Sequence, residues 1–484
     1  MKEFSNVFDE RGERRICSDS AEPEKQRMQF NVYFLGIGGI GMSALARYFL
    51  HEGRKVAGYD RVQSHLTDQI EVEGAVVHYE EDPSQIPADF RDPAATIVVY
   101  TPAVPADHAE LRWFRQNGFE IVKRSQMLGY LSQGKFVIAV AGTHGKTTTT
   151  TLVAWLNHRV TGGGSAFLGG ISRNFSSNLV LGSGRRLAVE ADEFDRSFLR
   201  LYPDVAVVTS ADADHLDIYG THEALREAFS QFVGQIREGG ALVVKQGVDL
   251  KIGNPGIRVY RYSYDVPCDF YARNVQLLEG GHYRYDLVTP SGAFEGCTLG
   301  VPGWVNIENA VAAVAALWCA SERDGEPLDA ERLREALASF EGVKRRFEFY
   351  VNTPKQVYMD DYAHHPTEIR ATLNTAKELG YKRLIAVHQP FTYSRTKMLF
   401  NDFVDVLKIP DITVLTPIMG SREPNDPTIT SAKLAAQIPG SVLVDSLEAA
   451  ADWVKQNARE GDLVITLGCG DIYKASKMMV AEQP

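Results

Sequence analysis

No stretch of the 484 residues is apolar for long enough to cross a membrane; the longest runs fall well short of the ~18 residues a spanning helix needs. Cysteine is scarce. The five (Cys17, Cys268, Cys297, Cys319, Cys469) are odd in number and scattered, with no CxxC pair and no Cys/His cluster. That argues against a structural zinc site and a disulfide framework, and it fits a reducing compartment, the cytoplasm. Positive charge is in deficit: 51 Lys plus Arg against 62 Asp plus Glu gives a formal net charge of −11. Such a surface repels extended polyanions, which argues against a nucleic-acid binder but leaves room for a local cationic pocket. No repeat recurs at a fixed period. What remains is ordinary globular composition, 44% hydrophobic and 23% charged, in a chain long enough for about three domains.

Residues Met1 to Gln29 carry thirteen charges and no apolar core of a signal peptide, so they read as a polar, mobile extension. Beyond them the chain repeats one rhythm: a short β-branched run, a glycine-rich turn, a helical pattern. This predicts an α/β protein of three domains over 30–134, 135–345 and 346–484. The first and last read as Rossmann-like doubly wound sheets. The middle reads as a P-loop sheet with antiparallel hairpins between Phe270 and Gly300.

The strongest local signal follows the run Phe136–Ala141: Gly142-Thr143-His144-Gly145-Lys146-Thr147-Thr148, continuing into a helix. Backbone N–H groups of such a turn attract phosphate oxygens, the lysine adds charge for the β/γ-phosphates, and the hydroxyl after it suits Mg²⁺. The usual spacing would demand glycine at position 140, which is Val140, so this is a shortened P-loop. ATP is the expected ligand. Carboxylates for Mg²⁺ are expected at the ends of the next apolar strands, in Glu190-Ala191-Asp192-Glu193 and Asp212-Ala213-Asp214-His215. Taken singly, each is as readily a solvated loop acid or a packed histidine.

A second glycine motif, Gly36-Ile37-Gly38-Gly39-Ile40-Gly41, follows the run Asn31–Leu35, with Asp60 at a ribose-like spacing. It suits a dinucleotide or any diphosphate-bearing ligand, a nucleotide-sugar included. Thr101 opens the break after the strand Thr96–Tyr100. In the last block, Asp360-Asp361-Tyr362-Ala363-His364-His365-Pro366-Thr367-Glu368 and His388-Gln389-Pro390-Phe391-Thr392-Tyr393-Ser394-Arg395-Thr396 each follow a strand. Arg395 suits bidentate capture of a carboxylate or phosphate; each histidine reads equally as a core residue. Asn306 and Asn309 open an alanine-rich helix, where Asn306 reads best as an N-cap.

Taken in order, GTHGKTTTT, EADEFDRSF, DADHLDIYG, DDYAHHPTEI and QPFTYSRT resemble the Mur ligases of bacterial cell-wall synthesis, in their alanine-adding branch, from about Phe30 to the C-terminus. The resemblance implies an ATP- and Mg²⁺-dependent ligase that joins L-alanine to UDP-N-acetylmuramate. The nearest alternative is a recycling ligase that adds a murein tripeptide to the same nucleotide-sugar. Two other classes, a nicotinamide dehydrogenase and a non-catalytic ATP switch, leave the P-loop or the C-terminal histidines without use. By matching position, Lys146 and Thr147 would serve phosphate and Mg²⁺, and Glu190 and His215 would be metal ligands. Asn306, Asn309 and Arg346 would lie near ATP, and Tyr362, His364 and Arg395 at the amino-acid end. Gly36, Gly38, Gly39, Gly41, Asp60 and Thr101 would hold the UDP-sugar. Three departures stand out: Thr392 where many relatives carry a second arginine, Trp304-Val305 in place of Arg-His, and no lysine between Thr209 and Gly239.

Overall fold

The structure, a computed structural model, describes residues 30–213, 216–353, 355–421 and 423–480. The extension 1–29 and the proposed ligand His215 lie outside the described residues. Three sheets succeed one another along the chain. The first has five parallel strands in the order Val76–His78, Val56–Tyr59, Asn31–Leu35, Thr96–Tyr100 and Glu120–Lys123. Alternate side chains divide its core. Val32 and Phe34 meet Met42, Leu45 and Phe49 of the helix Ile40–His51, while Tyr33 and Leu35 meet Phe90, Leu111 and Phe114 on the other face.

The central sheet has ten strands. Seven run parallel around Phe136–Ala141, and antiparallel strands extend it at both ends. The hairpins expected after Phe270 are the strands Phe270–Leu277, Tyr283–Thr289 and Gly292–Thr298. They continue the sheet itself through Arg258–Ser263. The helices Lys146–Val160 and Trp304–Asp324 share one core over this sheet, and the run of buried alanines in the second lets them approach closely.

The third sheet runs Glu348–Asn352, Val357–Asp361, Asp462–Leu467, Arg383–His388, Ile412–Leu415 and Val442–Leu443, parallel except for its first edge strand. Strand ends gather the glycine turns at one edge of each sheet, the edge where ligands bind in doubly wound folds. Among the described residues no helix is long and apolar enough to cross a membrane.

One carboxyl in the first domain is buried, and the ring that faces its Oε1, with His78 Nε2 at 3.7 Å, has a pKa that burial lowers. Glu110 is fully buried and accepts from Tyr33 Oη at 2.6 Å, and that hydroxyl lies 2.7 Å from His78 Nε2. Burial, with Glu81 and Asp82 nearby, pushes the Glu110 carboxyl up to about 7. A carboxyl raised in the folded state contributes stability that is complete below its unfolded value and lost as pH rises through about 7. Glu110→Gln is therefore expected to flatten the pH dependence of the urea midpoint between pH 5 and 8. At pH 8 it should be more stable than wild type by roughly 2 kcal/mol. Parallel curves for the two proteins would contradict this.

Candidate active site

The P-loop is built from two strained glycines. Gly142 has φ 140°, and a Cβ there would stand 2.0 Å from Thr209 Oγ1; Gly145 has φ 78°, and a Cβ would stand 2.8 Å from Asn309 Oδ1. Gly145 is the N-cap of Lys146–Val160, which has no side-chain cap and no acid in its first turn. Its first N–H groups are thus left to a ligand, and the helix dipole favours an anion there. The threonines that follow are buried. Thr150 and Thr151 donate their hydroxyls to the carbonyls of Lys146 and Thr147, four residues back, which satisfies them inside the core. Ser210 and Thr209, at the end of the neighbouring strand, bind the loop from the other side: His144 N–H donates to Ser210 Oγ at 2.8 Å, and Thr209 Oγ1 donates to the His144 carbonyl.

Lys146 lies over the loop, donating to Gly142 O at 2.6 Å and pairing with Glu193 at 2.8–2.9 Å. Burial opposes its charge, but Glu193, Asp192 and Glu190 outweigh that and raise its pKa, so it stays an ammonium. Glu190 ends the adjacent strand. Its Oε2 is buried with no hydrogen-bond partner, its carboxylate presses on Gly169, and Thr147 is within hydrogen-bonding reach. Burial first, then Asp192, push the Glu190 carboxyl up. A buried carboxylate oxygen without a partner beside a P-loop hydroxyl is a hard-oxygen pair suited to a cation. Among the described residues no three or more His, Cys, Asp or Glu are grouped to hold a metal.

Asn306 and Asn309 come to the same loop. The N-cap of their helix is Gly303, not Asn306: Gly303 adopts φ 94°, and Asn306 sits at the third helical position, donating Nδ2 to Pro302 O at 2.7 Å. Asn309 donates to Asn306 Oδ1 and accepts from Thr149 Oγ1 at 3.3 Å, which sets its amide against Gly145.

The second glycine turn lies at the edge of the first sheet. Gly39 caps Ile40–His51 without a side-chain bond, leaving another open helix N-terminus. Asp60 is engaged with the turn itself: Gly38 N–H donates to Oδ2 at 2.8 Å and Val62 N–H to Oδ1 at 3.2 Å. Thr101 packs its methyl on Gly36. Arg124, not singled out from the sequence, lies over the turn so closely that a Cβ on Gly41 would stand 2.5 Å from Nη1. Its Nη2 donates to Asp192 Oδ2 at 3.2 Å, which ties the first domain to the loop after Glu190 in the second. Its position directly after the strand Glu120–Lys123 was the available signal.

The third domain meets the P-loop through the linker and one helix start. Arg345 and Phe347 both take positive φ, and Arg345 binds Asp360 and the carbonyls of Gly468 and Gly470. Arg346 lies over the Tyr362 ring at 5.0 Å and faces Glu368 at 3.9 Å. A cavity of about 150 Å³ opens beside the linker, lined by Arg173, His282, Pro302, Arg346, Phe347 and Asn352 among others. Asp361 accepts from the Phe347 and Ala363 amides at 2.6 and 2.7 Å, and burial pushes its carboxyl up to about 6. His365 caps the helix Pro366–Glu378, and His364 Nδ1 bonds the Tyr362 carbonyl at 3.1 Å. Thr392 holds φ 64° as the N-cap of Tyr393–Met398, accepting from Arg395 N–H; Arg395 itself lies near Cys469 of the last glycine turn. His388 is core: fully buried and stacked on Phe403, with a pKa that burial lowers to about 4.

Comparison with known proteins follows the order of the three domains. Three family models match in succession: "Mur ligase family, catalytic domain" over 31–136, "Mur ligase middle domain" over 140–317 and "Mur ligase, glutamate ligase domain" over 345–470. A UDP-N-acetylmuramate–L-alanine ligase of Phocaeicola vulgatus is 45% identical over 91% of this chain and 95% of its own, and one of Parabacteroides distasonis is 43% identical over 91% and 94%. The crystal structure of the UDP-N-acetylmuramate–alanine ligase of Thermotoga maritima superposes with a TM-score of 0.77 at 25% identity, covering 93% of this chain and 98% of that one. A murein peptide ligase of Psychrobacter arcticus shares the fold at a TM-score of 0.69 and 23% identity, with the same coverage. With every domain matched in order, and with identity at this level over nearly the whole length of its relatives, the chain belongs to the Mur ligase family.

Proposed function

We propose that this protein is an ATP-dependent ligase that joins L-alanine to the lactyl carboxylate of UDP-N-acetylmuramate, a cytoplasmic step in peptidoglycan precursor synthesis. The observation that carries the reading is the P-loop placed between an open glycine turn of the first domain and the histidine-rich helix start of the third. The specific substrate rests on relatives of 38–45% identity that carry this activity in their names. The solved murein peptide ligases, at 23% identity, share the fold with this chain but carry no argument for the recycling reaction.

The chemistry explains why three sites must meet. A carboxylate is a poor acyl donor because its oxygen leaves badly. The lactyl carboxylate therefore attacks the γ-phosphorus of ATP, the bond to the β-phosphate oxygen breaks, and an acyl phosphate and ADP form. The neutral amine of L-alanine then attacks the acyl carbon, phosphate leaves, and the nitrogen loses a proton to give the amide. The first step is mostly positioning and charge neutralisation, the work of Lys146 and the P-loop amides. Thr147 and Glu190 would hold Mg²⁺, together with His215, and the ion would neutralise charge on the β- and γ-phosphates. Asn306, Asn309 and Arg346 would face the nucleotide. Arg124, with Gly36, Gly38, Gly39 and Gly41, would face the UDP diphosphate; Asp60 and Thr101 shape that turn. Tyr362, His364 and Arg395 would receive the amino acid. The acyl phosphate must be kept from water, so we assign the domains 30–134, 135–345 and 346–484 to sugar, ATP and amino acid, closing on one another during turnover.

Phosphate release with UDP-N-acetylmuramate and ATP tests the amino-acid assignment. L-alanine should support turnover well above glycine, L-serine and the murein tripeptide; preference for the tripeptide would overturn it in favour of the recycling reaction.

A further inference from the structure

One carboxylate in the molecule is shared by groups from both sides of the ATP cleft. Glu368, three residues into the helix Pro366–Glu378, places Oε1 at 3.3 Å from Nδ1 of the P-loop His144 and 3.9 Å from Arg346. Its Oε2 lies 3.3 Å from His364 Nδ1 and accepts from the His364 amide at 3.2 Å. His144 is held on its other side by Asp212, at 3.4 Å from Nε2, and lies against the His365 ring at 5.0 Å. Both nitrogens of His144 thus face carboxylates, one from each domain. Burial opposes its charge, but the two carboxylates raise its pKa to about 9, and it is an imidazolium at neutral pH. His364 is fixed by the same carboxylate: a carbonyl only accepts, so Nδ1 carries hydrogen toward Tyr362 O and Glu368, which sets the orientation of the ring.

We propose that Glu368 is a positioning residue that couples the two half-sites: it fixes His144 as a second cation of the P-loop and, through Nδ1, holds the His364 ring in the orientation it presents to the amino-acid end. The proposal rests on the ligase reading above. It gives the third domain a physical hold on the ATP loop, so that the nucleotide and the amino acid are aligned by the same carboxylate. Position alone in the sequence hides this, because His144 and Glu368 are 224 residues apart.

The test is Glu368→Gln in the full chain, beside Glu368→Asp, His144→Gln and the double variant Glu368→Gln/His144→Gln. Glutamine keeps the size but turns one acceptor into a donor facing N–H groups. Expected for Glu368→Gln is a loss of about 10- to 100-fold in kcat, the scale of residues that orient other functional groups. KM should rise for ATP and for L-alanine but not for UDP-N-acetylmuramate. Glu368→Asp should recover part of the loss, and the double variant should bind ADP no more weakly than Glu368→Gln alone, since the two side chains act through one contact. Wild-type kinetics in Glu368→Gln would overturn the proposal. So would losses of ADP affinity that multiply in the double variant, or equal rises in all three KM values with no recovery by aspartate. Titration with ADP needs neither sugar nor alanine, so it judges the coupling even if wild type proves to use another amino acid.

Discussion

Lys146→Ala is expected to lower amide formation by about 10³-fold or more, the scale of losing a cation that stabilises a transferring phosphoryl group. Lys146 is the ammonium laid directly over the P-loop, and its neighbours hold it charged. Its removal has a second consequence. Glu193, 1% exposed, would lose the cation that faces it, and breaking a buried ion pair on one side costs about 3–5 kcal/mol. The single variant is therefore expected to melt earlier as well as to lose turnover. Adding Glu193→Gln removes the charge that Lys146 balanced, so Lys146→Ala/Glu193→Gln should regain most of the melting temperature and none of the activity. Phosphate release and thermal melts on the three proteins separate the two effects. Turnover within tenfold of wild type in either variant would exclude the role given to Lys146.

The second large effect is expected at Glu190. Glu190→Gln keeps the side chain in its slot against Gly169 but removes the charge that a divalent cation needs. The expected result is a loss of about 10²- to 10³-fold in kcat at fixed Mg²⁺, with a half-saturating Mg²⁺ concentration raised at least about tenfold. In wild type, EDTA should stop turnover and Mg²⁺ restore it. The orphaned Oε2 makes this a sharp test, since burying an ionised oxygen without a partner is costly. Unchanged Mg²⁺ dependence in the variant would remove Glu190 from the metal site.

Much of this fold was written in local pattern. Runs such as Phe136–Ala141 and Ile412–Leu415 are apolar on both faces because each lies inside a parallel sheet covered by helices, and they sit where the sequence places them. The glycine turns were legible for the same reason that they work: only glycine fits at Gly142 or lets Arg124 come so close to Gly41. Single charged residues were not. Glu193, Arg124 and Glu368 look like solvated side chains until the fold brings them to partners 47, 68 and 224 residues away. Asn306 has an N-capping side chain in the right neighbourhood, but the positive φ of Gly303 starts the helix earlier and turns Asn306 back onto Pro302. Asp60 shows how one spacing serves two geometries. Its distance in sequence from the turn suits a ribose, and it also reaches the Gly38 amide, which the structure places within 2.8 Å.

In this mechanism ATP is spent only when the carboxylate and the amine are both in place. Phosphate release by the wild-type protein with ATP and Mg²⁺, measured with UDP-N-acetylmuramate alone, with L-alanine alone, and with both, tests it most directly. Rapid release is expected only with both, matched one to one by the amide product. Release at the full rate without the nucleotide-sugar, or with no amide formed, would contradict it.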